Sequence, residues 1–456
     1  MENLASILAV LIFIGMFVMI VQGKYQRHNI TLVSGGLVIV FVLGLCLQDM
    51  GAIMEVLSLH SFIEPLFWFG EGELSSVGIN WATIIFIAGM MIMVEGLGEA
   101  GFFRWLCLLM ARAVHYRITP LLICFMCISA VLAMFIDSIT VVLFLAAVTL
   151  DLAKLLKFNP VPMILAQIFC ANLGGAATMS GDPPNIIIGT ALGYTFMDFA
   201  SNTGFIALIC FIVILFYFPL VFRKELKDSA AVDRSGLSCP APSTAIQSKI
   251  MFAYAVVIFV AAVVLLVTHA ETGLSVATIG IIMAIATIIG MLLLGGKEKT
   301  AEMMKKVDYK TLLFFIGLFI SVGGLEETGI LELMAHGITL VSNGNIKIVI
   351  LVILLLSAVC SALVDNIPFA ATMIPVIKSI SATQGIDLSL LAWTLALGTD
   401  FGGNATPIGA SANVVGTSIS AKGGYPISWG TYCKYCVPGT IIIIGISLLC
   451  LYARYL

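Results

Sequence analysis

The sequence predicts an all-α polytopic membrane protein built from two inverted repeats, each holding a re-entrant hairpin and a broken transmembrane helix. Three observations carry this. Charge is too scarce for a water-facing surface, two apolar runs are too long for one crossing, and the chain resembles itself at an offset of 228 residues.

The 456 residues are 61% hydrophobic and 10% charged, with mean hydropathy +1.13. An ordinary globular domain carries about 25% charged residues. So few charges cannot cover a chain of this length in water, and repeated apolar runs of about 20 residues are long enough to cross a bilayer as helices. No barrel-type alternation of period two is present. The eleven cysteines are scattered; Cys124/Cys127 and Cys433/Cys436 have CxxC spacing but no second pair or histidine to complete a metal site. The N-terminus "MENLASILAV" lacks a basic region and a cleavage site, and reads as a first membrane helix.

Apolar segments fall at 4–22, 31–47, 81–99, 119–156, 161–193, 203–222, 250–269, 275–294, 311–329, 346–380, 388–420 and 435–453. Placing the N-terminus outside puts all basic residues except Lys347, Lys378 and Arg454 on the inner side. That partition holds only if 119–156 and 346–380 each return to the side they came from. The first is therefore read as a hairpin open to the cytoplasm and the second as one open to the outside. Residues 223–249 ("RKELKDSAAVDRSGLSCPAPSTAIQSK") read as a cytoplasmic linker between an N-terminal half, 1–222, and a C-terminal half, 250–456. The acidic, aromatic stretch 49–80, with His60, Glu64 and Trp68, reads as an interfacial loop.

The repeats span 80–200 and 308–428. "NWATIIFIAGMMIMVEGLGEAG" aligns with "DYKTLLFFIGLFISVGGLEETG". The same offset carries Asp137 to Asp365, Thr178 to Thr406 and Asn185 to Asn413 without a gap over 110 residues. The charge reading runs 81–99 inward and 311–329 outward, which makes the repeats inverted. Inverted repeats with helices broken at mid-membrane are the architecture of secondary transporters.

Irregular backbone is tolerated at membrane depth only where it is buried in protein or lines a watery cavity. The breaks "NLGGAATMSGDPPN" and "GGNATPIGASAN" are therefore read as halves of a binding site. Gly174, Gly175, Gly402 and Gly403 allow unusual φ and close backbone approach. Asp182 and Ser411 stand where helix caps would be. Thr178, Asn185, Asn404, Thr406 and Asn413 offer oxygens, the donor type that hard cations prefer. The hairpin tips add Asp137, Ser138 and Thr140 in the first repeat, and Asp365 and Asn366 in the second. Ionisable residues inside a membrane are functional by default, so Asp137 and Asp365 are assigned to ion coupling as well as capping. Asn172 and Asp400 complete the set. The candidate Na⁺ ligands are Asp137, Ser138, Asn185, Asp365, Asn366 and Asn413, with H⁺ the other candidate coupling ion.

At these residues the chain resembles the ion-transporter superfamily that holds ArsB arsenite pumps, NhaD sodium/proton antiporters, P-protein-type permeases and divalent-anion/sodium symporters. The two break motifs are most similar to the ArsB/P-protein branch, often labelled citrate-transporter-like. The resemblance covers almost the whole chain. It implies a homodimer in the bacterial inner membrane, whose protomers each carry a scaffold domain and a transport domain that move elevator-fashion, driven by H⁺ or Na⁺. The chain departs at the tips. Dicarboxylate symporters carry Ser-Asn-Thr there, and this chain has Asp137-Ser138-Ile139-Thr140 and Asp365-Asn366-Ile367-Pro368, which speaks against two-sodium dicarboxylate symport. The usual Asp-Asn pair of the ArsB-like branch is Asp137-Ser138 in the first repeat.

The expected function is ion-coupled transport of a small ion, as an oxyanion permease or antiporter. The alternatives are Na⁺/H⁺ antiport, Na⁺-coupled citrate or dicarboxylate symport, and an anion channel on the same fold. No enzyme is expected: GxSxG and HExxH arrangements are missing and the five histidines fall at loops or span ends. No organic cofactor or nucleic-acid partner is expected. Thr178, Asn185, Thr406 and Asn413 should share one polar pocket. Thr406→Ala and Asn413→Ala should weaken binding far more than ligand-free stability.

Overall fold

The computed structural model describes residues 2–70, 78–230, 240–364 and 366–456. Their regular structure is helical, apart from one isolated bridge between Phe69 and Leu274. Helices α1 (Glu2–Gln22) and α2 (Arg27–Leu47, π-helical from Val38) come first. Then follow α3 (Trp81–Glu99), α4 (Phe102–Ala113), α5 (Ile118–Ala133), α6 (Ser138–Leu156), α7 (Val161–Gly175), α8 (Pro183–Leu192) and α9 (Thr203–Val221). The second half opens with α10 (Lys249–Val267) and α11 (Val276–Leu294). It continues with α12 (Tyr309–Glu327), α13 (Ile330–Ser342), α14 (Ile346–Leu363), α15 (Asn366–Gln384), α16 (Leu388–Gly402), α17 (Ser411–Lys422) and α18 (Trp429–Tyr455). Among the described residues, ten helices are long and apolar enough to cross a membrane. On α1 the exposed Leu4, Ile7, Leu11, Ile14 and Val18 recur every three or four positions, a lipid-facing stripe.

The bounds of α3 and α12 differ by 228 at both ends, and their start and stop signals match. Asn80 accepts a bond from Thr83 N at 3.0 Å, and Asp308 accepts one from Thr311 N at 3.3 Å, each as an N-cap. Gly101 and Gly329 follow in the left-handed region, with φ of 86° and 69°, and stop the helices. Each is crossed at close range by a helix from the other half. A Cβ on Gly89 of α3 would lie 2.1 Å from Gly280 O of α11, and one on Gly317 of α12 would lie 2.3 Å from the Thr31 carbonyl carbon of α2.

The helices pack in two sets. One joins α1, α2, α3, α10, α11 and α12. The other joins the hairpin pairs α5/α6 and α14/α15, the broken pairs α7/α8 and α16/α17, and α9 and α18. The short helices α4 and α13 each follow a helix of the first set and pack on the second, α4 on α6 and α13 on α15. The 223–249 stretch is more structured than a bare linker. Arg223–Ala230 is helical and Pro242–Ala245 forms a 3₁₀ turn packed on α4, while 231–239 lie outside the described residues.

Candidate functional site

Each apolar run that is too long for one crossing folds as two helices that pack on each other, α5 with α6 and α14 with α15. At the start of α6 the Asp137 carboxylate accepts from Thr140 N at 2.9 Å and Thr140 Oγ1 at 2.7 Å. It thus caps α6, and Glu95 and Asp308 are its charged neighbours. Asp365, the matching acid assigned to ion coupling, lies outside the described residues.

The breaks are stitched identically. Asn185 donates its amide to Gly175 O and Thr178 O, both at 3.1 Å. Asn413 donates to Gly403 O at 2.7 Å and Thr406 O at 2.8 Å. Four backbone carbonyls freed by the breaks are thereby satisfied from within their own loops. Thr178 Oγ1 donates to Met134 O at the end of the first hairpin, and Thr406 Oγ1 to Ala362 O in the second. Ser129 Oγ donates to Gln167 O and Ser361 Oγ to Thr399 O, at 2.7 and 2.6 Å, binding each hairpin to its broken helix.

Several sequence expectations change here. The two threonines meet Asn185 and Asn413 through their carbonyls, while their hydroxyls staple loop to hairpin, because a buried carbonyl needs a donor. The glycines do not supply unusual φ, since none of Gly174, Gly175, Gly402 and Gly403 is left-handed. They allow contact instead: a Cβ on Gly174 would lie 2.1 Å from Ala130 O, and one on Gly402 2.3 Å from Ala358 Cα, 228 positions on in both partners. Asp182 sits at the cap position of α8, but its side chain makes no capping bond. Pro183 and Pro184 fill the first turn and have no N–H to offer. The cap of α17 is Ala410, with Ser411 one residue inside and within 3.4 Å of Arg27 Nη1.

The Asp182 carboxylate is drawn to the hairpins instead. Its Oδ1 accepts from Ser138 Oγ at 2.7 Å, and its Oδ2 from Asn366 Nδ2 at 3.1 Å. One buried acid from the first break thus holds the start of the returning helix of both hairpins. Across from it, Asn172 donates to Asn404 Oδ1 at 3.0 Å and Asn413 Oδ1 at 2.8 Å, tying the two broken helices together. Asp400, fully buried on α16, is acted on by the Asp182 charge and lies against the Asn185 and Asn366 amides; neither of its oxygens has a hydrogen-bond partner. Asp400 occupies the position that Asn172 has in the first repeat, and Ala410 the position of Asp182. Asp182 and Asp400 therefore come from non-equivalent places in the two halves.

Sequence reasoning missed Arg27, read only as an inner-side charge in "GKYQR". With His28, Asp308 and Lys310 it lines a cavity of about 400 Å³ that also touches Ile139 and Ile367, the residues after Ser138 and Asn366. Its contact with Ser411 joins positions 384 apart, which no local pattern reveals. Among the described residues no three His, Cys, Asp or Glu side chains gather into a metal cluster, and the described cysteines are free thiols.

Comparison with known proteins gives the same class. The family described as "Citrate transporter" matches residues 56–398. An uncharacterized transporter of Mycobacterium tuberculosis is 32% identical over 99% of both chains. The P protein of Sus scrofa is 30% identical over 80% of this chain, which spans about half (52%) of that longer protein. Among solved structures, the Alcanivorax borkumensis YdaH transporter aligns with TM-score 0.56 and 15% identity, covering 81% of this chain and 84% of that one. MtrF of Neisseria gonorrhoeae, described as illuminating a class of antimetabolite efflux pumps, aligns at 0.55 and 13%, covering 90% and 85%. At such identities the two structures speak for the fold alone.

Proposed function

The chain belongs to the citrate transporter family and is an integral membrane transporter, and on that premise we propose that it is an ion-coupled secondary transporter whose coupling cation binds beside Asp182. The observation that carries the proposal is the position of that carboxylate, held by Ser138 of one hairpin and Asn366 of the other. Taking a charge out of water costs several kcal/mol, so a cation or proton at this acid changes its grip on both hairpins at once. That links ion occupancy to hairpin position, which coupled transport requires and a passive pore does not. The two packing sets supply an elevator with its parts: the hairpins and broken helices move, and the first set stays fixed.

The cargo is a small anion or oxyanion, with citrate the first candidate from the family description, moving with the cation that offsets its charge. The protomers pair in the bacterial inner membrane, with the N-terminus outside and residues 223–249 inside, an orientation that the Lys and Arg distribution supports. The test is uptake into proteoliposomes of citrate, succinate, sulfate, arsenite and silicate under an inward Na⁺ or H⁺ gradient. Accumulation above equilibrium that collapses with the gradient supports the proposal. Flux that only equilibrates, whatever the gradient, makes the protein a channel.

A further inference from the structure

An apolar groove of about 460 Å³ lies between the ends of α5 and α7 and the start of α9. Its floor is buried and small, with Ala130, Gly174, Ala177 and Ala207, and exposed Val131 and Phe205 stand at its edges. The volume is about three times the ~150 Å³ of an apolar cavity that takes up one benzene ring, which suits a chain-like guest. An empty groove forfeits dispersion contacts for every atom that lines it, so surrounding lipid tails are drawn in. From Gly204 to Phe211 the α9 wall is about 10 Å long. With Ser201 above it, that wall reaches through most of one leaflet of a hydrocarbon core about 30 Å thick.

The Ser201 end carries a charge. Arg454, at the end of α18, donates from Nη1 to Ser201 O at 2.8 Å, and its guanidinium lies 5.7 Å from the centre of the Phe205 ring. Tyr455 donates its hydroxyl to Asn202, which fixes the end of α18 beside the groove. A guanidinium has five N–H donors, and the Ser201 carbonyl takes one. Among the described residues no carboxylate forms an ion pair with Arg454. The acids on this side, Asp198 and Asp387, are engaged as caps by Thr195 and by Ser389 N.

We propose that the groove binds one anionic phospholipid, with its phosphate on Arg454 and one acyl chain running along α9 to the first break. On the orientation given above, the lipid comes from the outer leaflet. Arg pairs with phosphate through two parallel N–H bonds, and a zwitterionic headgroup brings its own ammonium to the same guanidinium. The chain end lies against Gly174 and Ala177, beside the Met134 carbonyl that takes the Thr178 hydroxyl, so the lipid braces the first hairpin against its broken helix. A second protomer is the other apolar occupant. Against it, α5, α7 and α9 belong to the set that moves in the elevator reading, and a subunit contact there would hold that set still; to that extent the inference rests on that reading.

The experiment is native mass spectrometry of the purified, delipidated full chain in detergent. It is titrated with dioleoyl phosphatidylglycerol or dioleoyl phosphatidylethanolamine, which share their tails and differ in headgroup charge. The first phosphatidylglycerol should bind at least about fivefold more tightly than the first phosphatidylethanolamine, and Arg454→Gln should erase that preference. Ala207→Leu fills the floor and should weaken both lipids alike, with Val131→Trp as the second filling variant if Ala207→Leu does not elute as a single species. Lysophosphatidylglycerol, with one chain, should compete, and glycerophosphoglycerol, with none, should not. A phosphatidylglycerol preference that survives Arg454→Gln, or unchanged affinity in a folded filling variant, overturns the proposal. So does a dimer that dissociates in the filling variants at unchanged lipid affinity, which assigns the groove to a second protomer. The predicted lipid binding without gradient-driven uptake supports the site and sinks the transporter reading; uptake without any phosphatidylglycerol preference does the reverse.

Discussion

Asn413→Ala removes the side chain that holds the second break in shape. Its amide nitrogen donates to Gly403 O at 2.7 Å and Thr406 O at 2.8 Å, and its oxygen accepts from Asn172 at 2.8 Å. The substitution leaves the Gly403 carbonyl without a donor, worth about 1–3 kcal/mol, and takes from Thr406 O a bond worth about 1 kcal/mol, leaving it the Gly409 N–H at 3.3 Å. Asn172 keeps its bond to Asn404 and adds little. The expected loss is about 2–4 kcal/mol, a fall of roughly 2–4 °C in the unfolding midpoint of a chain this long. This differs from the sequence expectation of a binding defect at near-constant stability, because the side chain proves to be part of its own loop. Fluorescence-detected unfolding of the ligand-free protein at one fixed scan rate measures it. Asn404→Ala is the comparison: it removes one acceptor from Asn172, which retains the other, so its loss should be under half as large. An Asn413→Ala midpoint within about 1 °C of the parent, well inside the calculated fall, would refute the reasoning.

Gly89→Ala and Gly317→Ala should each cost about 1–3 kcal/mol or more by overpacking, seen as a lower midpoint and poor detergent-stable yield. Gly36→Ala, with nothing within 4 Å, should match the parent. Thr178→Val and Thr406→Val each delete a hydroxyl-to-carbonyl staple worth about 1 kcal/mol, and should change the uptake rate more than the midpoint, because the staple joins a loop to a hairpin. Asp137→Asn keeps an oxygen for Thr140 and should lower stability by about 1 kcal/mol or less while ion dependence survives; loss of all coupled uptake in this variant would return the coupling role to the hairpin tip.

Much of the fold was legible because a bilayer enforces simple rules. Apolar run length fixed the spans, and the offset of 228 located equal helices at Trp81–Glu99 and Tyr309–Glu327. The division of 119–156 and 346–380 into two helices each was visible because both runs are too long for one crossing. Of the residues singled out in the sequence, Ser138, Asp182 and Asn366 meet in one set of bonds, and Asn172, Asn404 and Asn413 in another. The roles were harder. Whether an acid caps its own helix or reaches across the fold depends on local donors. Thr140 three residues after Asp137 was the signal for the first case, and the prolines after Asp182 for the second. The swap of Asn172 for Asp400 and of Asp182 for Ala410 breaks the repeat at its most important positions, so alignment of the halves alone points to equal acids that are not there. Arg27 was out of reach for the opposite reason: positive charge near a span end follows from topology alone, and its partner Ser411 is 384 residues away.

The central claim is that the acid held by both hairpins couples the ion to the cargo. The most direct measurement is gradient-driven uptake of the anion that the proteoliposome screen selects, in vesicles matched for protein content, by the parent and by Asp182→Asn. The substitution keeps the size and removes the charge that Ser138 and Asn366 approach. The account predicts accumulation by the parent that follows the imposed Na⁺ or H⁺ gradient. Asp182→Asn, eluting as the same monodisperse species, should show none. Accumulation by Asp182→Asn with the parent's gradient dependence would contradict it.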